Sequence, residues 1–453
     1  MIKYSENLKR KGENIVNNKT KDIAVIGFAL FSMFFGAGNL LFPPHLGLIS
    51  GEGWITSLIG FILADVGLSL LVILAAAKAN GDLDNVLSRA GKTLAKMIGS
   101  IVVLCIGPLL AIPRTAATTY EMGILPIIGE RGSMIPIIIS VVFFAITLAL
   151  TIRPSKVVDI IGKILTPTLL LCLGILIVMV IINPIGNISP DVMMEKGLFA
   201  EGVSQGYLTM DALGAFALAA VIIVSIKDRG YINTKDQVKI TVRAGLVAGV
   251  SLALVYGGLT YLGSTLSGLN LYDINTSQAS LMVIITESLL GKPGKIILGI
   301  IVTLACLTTS IGLTSAVGEY FSKTSNGKLK YEYIVIAVCV FSAVVSNFGV
   351  STIIKFSAPI LEVVYPVLIA LVVMSLFTDK IKNDNTFKGC AYITLIVSLL
   401  TVANSIWNIA PFMTKLPLAS LGFNWAIPAI IGSALGSLIK SKNRITVKQL
   451  EID

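Results

Sequence analysis

The stretch Phe34 to Leu46, FFGAGNLLFPPHL, carries the residues best suited to binding a small molecule. It lies inside a long apolar run, where glycines and two consecutive prolines interrupt the helical pattern. A gap in a helix exposes amide N–H groups at the start of its second half, and that end attracts anions. We therefore predict that a carboxylate binds at Gly36, Ala37, Gly38, Asn39 and Leu40. Kinks of this composition also serve helix packing in membranes, so the break alone leaves both roles open.

A second interruption falls in the apolar run 205–226, which contains TMDALGAFA. A charged side chain in the middle of a membrane helix costs roughly 2.5–3.5 kcal/mol, so Asp211 is expected to have a function. Carbonyl groups around Thr209 to Leu213 are suitable partners for an ammonium group. The predicted contacts here are Asp211, Ala212, Leu213 and Gly214. Asp211 itself has three open roles: it contacts the substrate amine, interacts with a sodium ion, or forms a structural pair with Arg114.

Three further charges are predicted inside the membrane, at Arg114, Asp65 and Glu121. Arg114 follows Pro113 and is a candidate partner for Asp211 or Glu121, a candidate external gate, or a donor to carbonyls loosened by the prolines. Asp65 is expected to face the helix bundle and support the site. We assign all three to gating or to structural charge pairing.

The composition indicates an integral membrane protein. The 453 residues are 55% hydrophobic and 13% charged, with a mean hydropathy of +0.88, whereas a soluble protein is roughly one quarter charged. Apolar runs of about 20 residues favour a polytopic all-α protein over a barrel. We predict twelve spans, at 23–49 (broken), 54–77, 97–122, 133–152, 157–182, 205–226 (broken), 241–266, 294–320, 331–346, 352–377, 388–406 and 422–439.

The basic residues predict the topology of these spans. Of 35 lysines and arginines, 28 fall in segments on one side of the membrane, six on the other, and Arg114 within it. Positive loops face the cytoplasm, so both termini are predicted to be cytoplasmic in a multi-pass plasma-membrane protein. The same distribution explains the net charge of +10 without a nucleic-acid partner.

Spans 1–5 and 6–10 form two predicted repeats, at about 23–182 and 205–377. Because each repeat has an odd number of spans, the second is inverted relative to the first. We predict the interruptions at 36–39 of span 1 and at 211–214 of span 6. Interrupted helices at matching positions of two inverted repeats mark a binding site between them. The remaining predicted parts are the tails 1–22 and 441–453 and two extra helices within 388–439, which complete a single transmembrane domain over 23–440.

Four motifs together resemble the bacterial branched-chain amino acid carriers of the LIVCS, or BrnQ-like, family in the amino acid–polyamine–organocation superfamily. They are FSMFFGAGNLLFPPHLG, GPLLAIPRTAATTYEMG, TMDALGAFA and TTSIGLTS, and the resemblance covers nearly the whole chain. It implies a LeuT-type fold of five plus five helices and a sodium-coupled symporter of leucine, isoleucine and valine. It implies no cofactor beyond the sodium ion and leaves the oligomeric state open.

The resemblance also implies a sodium site. Ala305, Thr308 and Thr309 share one helix face by their spacing, although small hydroxyl residues at that spacing commonly serve packing alone. In LeuT-type transporters this pattern is completed by two carbonyls of span 1, which would be those of Ser32 and Phe35. Proton coupling through Asp211, Asp65 or Glu121 is the alternative. A membrane-embedded enzyme or a channel is more remote, since the chain has one histidine and neither HExxH nor GxSxG.

Overall fold

The computed structural model describes residues 19–79, 87–129, 132, 134–152, 170, 171, 173–194, 197–269, 271, 272, 274–378 and 380–439. Every regular element in those residues is helical, as predicted. Eight helical segments there are long and apolar enough to cross a membrane, and Leu173–Ile182 and Ala426–Leu438 are shorter apolar helices. Together with spans 1 and 6, each divided into two half-helices, they account for the twelve predicted spans. The structure does not describe the residues before 19, those after 439, or residues 157–169 of span 5.

In chain order the helices are α1 (19–34), α2 (Ala37–Ser50), α3 (Trp54–Ile62), α4 (Leu68–Lys78), α5 (Lys92–Leu104), α6 (Ala111–Thr118), α7 (Leu125–Ile128), α8 (Met134–Ile152), α9 (Leu173–Ile182), α10 (Leu198–Thr209), α11 (Asp211–Asp228), α12 (Thr234–Ser264), α13 (Gln278–Thr324), α14 (Tyr331–Val345), α15 (Val350–Leu376), α16 (Asp384–Trp407) and α17 (Ala426–Leu438). Span 1 consists of α1 and α2, span 2 of α3 and α4, span 3 of α5 to α7, and span 6 of α10 and α11. The remaining helices form the other spans in order.

Spans 2 and 3 contain irregular turns that the sequence analysis did not predict. A π turn at Leu63–Gly67 joins α3 to α4, and two more, at Cys105–Leu109 and Thr119–Ile124, divide span 3. The first turn of span 3 contains Pro108, which lacks the N–H group that a continuous helix requires. Such turns are frequent at functional sites in helices.

The spans pack in two groups. In one, α2 contacts α12, α3 contacts α10, and α4 contacts α11, which brings spans 1, 2, 6 and 7 together. In the other, α13 packs on α8, α14 and the second π turn of span 3, which brings together spans 3, 4, 8 and 9. Because α2 also contacts α13, the break of span 1 lies between the two groups.

Glycine permits the tight crossing of spans 1 and 7. A Cβ atom on Gly47 would lie 1.9 Å from the Thr260 carbonyl oxygen, and one on Gly263 would lie 1.8 Å from that of Pro44. No larger residue fits at either position without moving the backbone, so the two helices are in direct main-chain contact.

A short helix precedes span 8 and is joined to that span. It forms the first part of α13 and ends at Gly291, whose positive φ of 65° marks a sharp kink. Just before it, the Ile274 carbonyl lies 3.3 Å from His45 Nε2 in α2. The residues that lead into this helix therefore contact the second half of span 1.

Candidate functional site

The break in span 1 consists of two residues, Phe35 and Gly36, and α2 starts at Ala37. The predicted interruption at 36–39 is therefore shorter and begins one residue earlier. Asn39 explains why the helix restarts there: its Oδ1 accepts the Gly36 N–H at 3.2 Å, while its own N–H donates to the Gly36 carbonyl at 3.2 Å. This is half of a capping box, a signal readable from the sequence.

This cap reduces the number of backbone N–H groups that could donate a hydrogen bond to an anion. The N–H of Asn39 is already bonded to Gly36, so the first residues of α2 without an intrahelical acceptor are Ala37 and Gly38. Leu40 lies within the regular helix and is 1% exposed. Fewer N–H groups are therefore free at the start of α2 than the sequence analysis predicted.

The break in span 6 lies at Met210, so the predicted position at 211–214 is wrong. Asp211, Ala212, Leu213 and Gly214 form the first turn of α11, and the Gly214 N–H donates to the Met210 carbonyl at 2.9 Å. Met210 adopts a left-handed conformation with φ 67° and ψ 17°. Methionine rarely does so, and nothing in the local sequence predicts it.

Arg114 bonds to the carbonyl groups that end the first half of span 6. Its Nη1 donates to the Leu208 carbonyl at 2.6 Å and its Nη2 to that of Thr209 at 3.2 Å, and the side chain is buried. Of the roles left open for Arg114, donation to loose carbonyls is observed, and its guanidinium group also interacts electrostatically with Asp211. The carbonyls of Thr209 and Met210, which the sequence analysis offered to an ammonium group, therefore each accept one hydrogen bond already, from Arg114 and from the Gly214 N–H.

The guanidinium group of Arg114 also reaches span 1. It lies 5.4 Å from the ring centre of Phe42, and a Cβ atom on Gly38 would come within 2.8 Å of Nη2. Glycine at position 38 is therefore what lets the cation approach the start of α2. Arg114 joins the two breaks from a third span.

Glu121 does not pair with Arg114. Its Oε1 accepts the Val350 N–H at 2.7 Å, at the first residue of α15. The carboxyl group satisfies a donor at a helix start and ties span 3 to span 10. Its role in the structure is a capping one.

Asn39 and Asp211 connect the two breaks directly. Asn39 Nδ2 donates to Asp211 Oδ2 at 2.7 Å and also to the Tyr256 hydroxyl of span 7. The Thr209 hydroxyl donates to Asp65 Oδ1 at 2.6 Å, and the carboxyl groups of Asp65 and Asp211 interact with each other. The expectation that Asp65 faces the bundle and supports the site agrees with this arrangement.

Two members of this polar cluster were missed from the sequence. Tyr256 is one of several tyrosines in apolar runs, and no spacing marks it. Thr209 was considered only for its carbonyl group, whereas its hydroxyl links Asp65 to the break. The remaining predicted residues, Ala212 and Leu213, are buried in α11.

The predicted sodium ligands of span 8 lie beside the break in span 1. A Cβ atom on Gly36 would be 4.0 Å from Thr309 Oγ1. The Thr308 hydroxyl donates to the Ala305 carbonyl at 2.9 Å, which leaves its oxygen lone pairs able to accept or to bind a cation.

The two predicted ligands of span 1 lie at the end of α1. Phe35 is buried, whereas Ser32 is exposed. The predicted ligands are the backbone carbonyl oxygens of these two residues, not their side chains. The N–H of Gly36, which a continuous helix would direct at Ser32, donates to Asn39.

The fold is similar to that of solved transporters. A Na+-coupled sialic acid symporter superposes with a TM-score of 0.62 at 16% identity, covering 94% of this chain and 91% of that one. Mhp1, a nucleobase-cation-symport-1 family transporter, gives 0.60 at 14% identity, covering 92% and 91%. MhsT, solved in complex with L-phenylalanine, gives 0.57 at 16% identity, covering 91% and 98%. The fold is thus an all-α, multi-pass membrane fold of the LeuT type, with an inverted repeat and broken helices 1 and 6.

The sequence comparisons are more specific. Residues 19–443 match the family described as branched-chain amino acid transport protein. The branched-chain amino acid permease BraB of Bacillus subtilis is 37% identical over 430 residues, or 92% of this chain and 95% of the relative. BrnQ of Salmonella typhimurium is 37% identical over 420 residues, or 91% and 94%.

The chain belongs to this family, which confirms the resemblance drawn from the four motifs. The relatives are named permeases, so the expectation of a transporter rather than an enzyme is also confirmed.

Proposed function

We propose that this protein imports leucine, isoleucine and valine together with sodium. The relatives that are named branched-chain amino acid permeases support the substrate class. The observation that carries the proposal is the 2.7 Å hydrogen bond between Asn39 and Asp211, because it joins the start of α2 to the break of span 6. A zwitterion has one group for each side: a carboxylate for the N–H groups of Ala37 and Gly38, and an ammonium for the Asp211 carboxyl.

Sodium coupling rests on the face of span 8. Sodium is a hard cation that prefers oxygen ligands, and Thr308, Thr309 and the Ala305 carbonyl provide three on one face. The proximity of Thr309 to Gly36 supports a shared site with the carbonyls of Ser32 and Phe35. A cation there would join the two groups of spans across the break.

Alternating access is the mechanism that we propose for transport. Spans 1, 2, 6 and 7 would rock against spans 3, 4, 8 and 9, and these are the two groups that pack internally in the fold. The substrate, lying at the breaks of the first group and beside the second, would bias the motion by binding the closed form better. Both termini are cytoplasmic in this proposal, and the plasma membrane is its location.

The test is uptake of labelled leucine by proteoliposomes that contain the purified protein. We expect an inward sodium gradient to stimulate uptake, potassium in its place to give little, and unlabelled isoleucine and valine to compete. Equal uptake with and without sodium would reject the coupling. Uptake driven by a proton gradient alone would favour proton coupling instead, for which the buried carboxyls of Asp65 and Asp211 are the structural basis.

A further inference from the structure

Two carboxyl groups meet in the interior of this protein. Asp65 lies in the π turn of span 2 and is 1% exposed, and its carboxyl interacts directly with that of Asp211 at the start of α11. Two carboxylates in contact at low dielectric cannot both stay ionised without a compensating charge. One shared proton removes the repulsion and lets one group donate to the other.

The surrounding charges leave this pair with an excess negative charge. The titratable groups that interact with it are Arg114 of α6, Tyr256 of α12 and Tyr365 of α15. Farther out, Cys306 of α13 lies beside Arg114, Tyr207 of α10 stacks on Tyr365, and Glu362 of α15 lies beside Tyr207. Among these groups, Arg114 is the single cation. Two carboxylates and one guanidinium sum to one negative charge, which one proton neutralises.

The hydrogen bonds identify where that proton lies. Asp65 Oδ1 accepts from Thr209, whereas Asp65 Oδ2 is buried and receives no hydrogen bond from the described residues. Asp211 Oδ2 accepts from Asn39. The buried carboxyl oxygen that lacks a hydrogen bond is therefore Asp65 Oδ2, and the side chains that interact with this carboxyl are those of Thr209, Asp211 and Tyr256.

The neighbouring side chains suit a proton better than a metal ion. Asn39 points a hydrogen, not a lone pair, at the Asp211 carboxyl, and the Thr209 hydroxyl lies within hydrogen-bond distance of Asp65 Oδ1 and of the Gly206 carbonyl. The orientation of the Asn39 amide is set by Gly36, whose N–H requires the amide oxygen. The amide therefore offers no lone pair to a metal ion, which would have to be held by the two carboxylates themselves.

We propose that Asp65 and Asp211 form a proton-binding site that holds one shared proton between Asp65 Oδ2 and the Asp211 carboxyl. This site shares Asp211 with the proposed substrate site and lies apart from the proposed sodium site. Loss of the proton would leave a negative charge next to the N–H groups of α2, where a substrate carboxylate is proposed to bind. The same charge would attract the ammonium group proposed at Asp211, so the protonation of the pair makes substrate binding depend on pH.

Infrared spectroscopy of the purified protein in lipid nanodiscs tests the site without relying on transport. At neutral pH we expect a C=O stretching band of a protonated carboxyl that shifts in D2O. Asp65→Asn and Asp211→Asn should each lose it, whereas Asp228→Asn, an exposed aspartate of the same helix as Asp211, should keep it. Thermal unfolding checks that each variant is folded. If Asp211→Asn does not fold, the comparison of the carboxyl band between the wild type and Asp65→Asn is sufficient to test the proposal.

Three results would overturn the proposal. One is a wild-type spectrum without the band, and a second is a band that persists unchanged in folded Asp65→Asn. The third is a wild-type band that disappears when sodium is added at constant pH, since the pair would then be a cation site.

Leucine uptake at a fixed sodium gradient provides the second readout. Wild-type uptake should change as pH rises, and Asp65→Asn, which carries a permanently neutral group, should show a flat pH profile whatever its rate. A wild-type profile as flat as that of Asp65→Asn would contradict the proposal. If leucine is not transported but the band is present and lost in Asp65→Asn, the proposed function fails and the proton site stands.

Discussion

The breaks in spans 1 and 6 occupy matching positions in the two repeats, yet they are built differently. Span 1 is interrupted by Phe35 and Gly36 and is capped from within its own second half by Asn39. Span 6 is interrupted by the single left-handed residue Met210, and the carbonyls before it are bonded by Arg114 from span 3.

The difference separates two ways of offering polar groups inside a membrane protein. The start of α2 offers backbone N–H groups, because Ala37 and Gly38 have no acceptor within the helix. The span 6 break offers a carboxyl side chain, because its last carbonyls are already bonded to a cation. We therefore expect span 1 to tolerate little added volume and span 6 to depend on charge.

Arg114→Ala should reduce uptake and stability the most, because it removes the cation that bonds to the last carbonyls before the break in span 6. The Leu208 and Thr209 carbonyls would lose their partner, at about 1–3 kcal/mol for each buried acceptor. We expect leucine uptake to fall by about 100-fold or more, which corresponds to about 2.7 kcal/mol. Initial uptake rates and thermal unfolding of the purified variant measure both effects.

Arg114→Lys is the matched control. It keeps the charge but loses the planar fork that reaches two carbonyls, so partial recovery would show that charge and geometry both contribute. Wild-type uptake in Arg114→Ala would mean that span 6 holds its break without a cation.

Adding one methyl group at each break is the next test of the comparison. In Gly38→Ala the new Cβ would lie 2.8 Å from Arg114 Nη2, and overpacking of this kind costs about 1–3 kcal/mol. In Gly214→Ala the new Cβ would meet nothing within 4 Å, and alanine favours a helix interior by up to about 1 kcal/mol. We expect lower stability and uptake for the first variant and unchanged or higher stability for the second.

Thermal unfolding and the KM for leucine distinguish the possible outcomes. Equal effects of the two substitutions would contradict the asymmetry between the breaks. A raised KM in Gly214→Ala with normal stability would show that Gly214 contacts the substrate, as the sequence analysis predicted.

The double variant Thr308→Ala, Thr309→Ala tests the proposed sodium site between span 8 and the break in span 1. It should change the sodium dependence of uptake more than the maximal rate. We expect the sodium concentration for half-maximal uptake to rise about tenfold, or about 1.4 kcal/mol, with the rate at saturating sodium largely kept. Thr303→Ala, in which a hydroxyl bonded to the Gly299 carbonyl of the same helix is lost, is the control. An unchanged sodium dependence in the double variant would exclude this face as the cation site.

The smallest change in stability is expected away from the breaks, where Asp22 at the start of span 1 forms hydrogen bonds with residues that follow span 6. Asp22 accepts from Arg229 at 2.8 Å and from the Tyr231 hydroxyl at 3.0 Å. Partial burial and the bond to Asp22 raise the pKa of Tyr231 above its usual value. Because the folded-state pKa is the higher one, this contribution is complete below the unfolded value of about 10 and is lost as pH rises through the folded value.

Thermal unfolding between about pH 8 and pH 11 checks this prediction, since the window spans the phenol pKa. The wild type should lose slightly more stability across it than Tyr231→Phe, by less than about 1 kcal/mol for such a partly exposed contact. A steeper loss in Tyr231→Phe would reverse the assigned sign.

The accuracy of the sequence-based predictions differs between the two breaks. Glycines at 36 and 38 and prolines at 43 and 44 act on the backbone locally, so the start of the break in span 1 was predicted to within one residue, although the break is shorter than predicted. Met210 has no such local preference, and its left-handed conformation goes with contacts from Arg114 and Asp65 in other spans. The break in span 6 was therefore predicted in the correct span but at residues that are helical.

Hydropathy, basic-residue bias and glycine–proline spacing determined from the sequence alone that this is a multi-pass helical membrane protein with two interrupted spans. These properties belong to single residues and their near neighbours, so they can be read without the fold. Only the tertiary structure decided that Asn39 bonds to Asp211, 172 positions away, and that Arg114 bonds to the end of α10 and not to Glu121. Those contacts depend on how helices pack against one another, which no local pattern encodes.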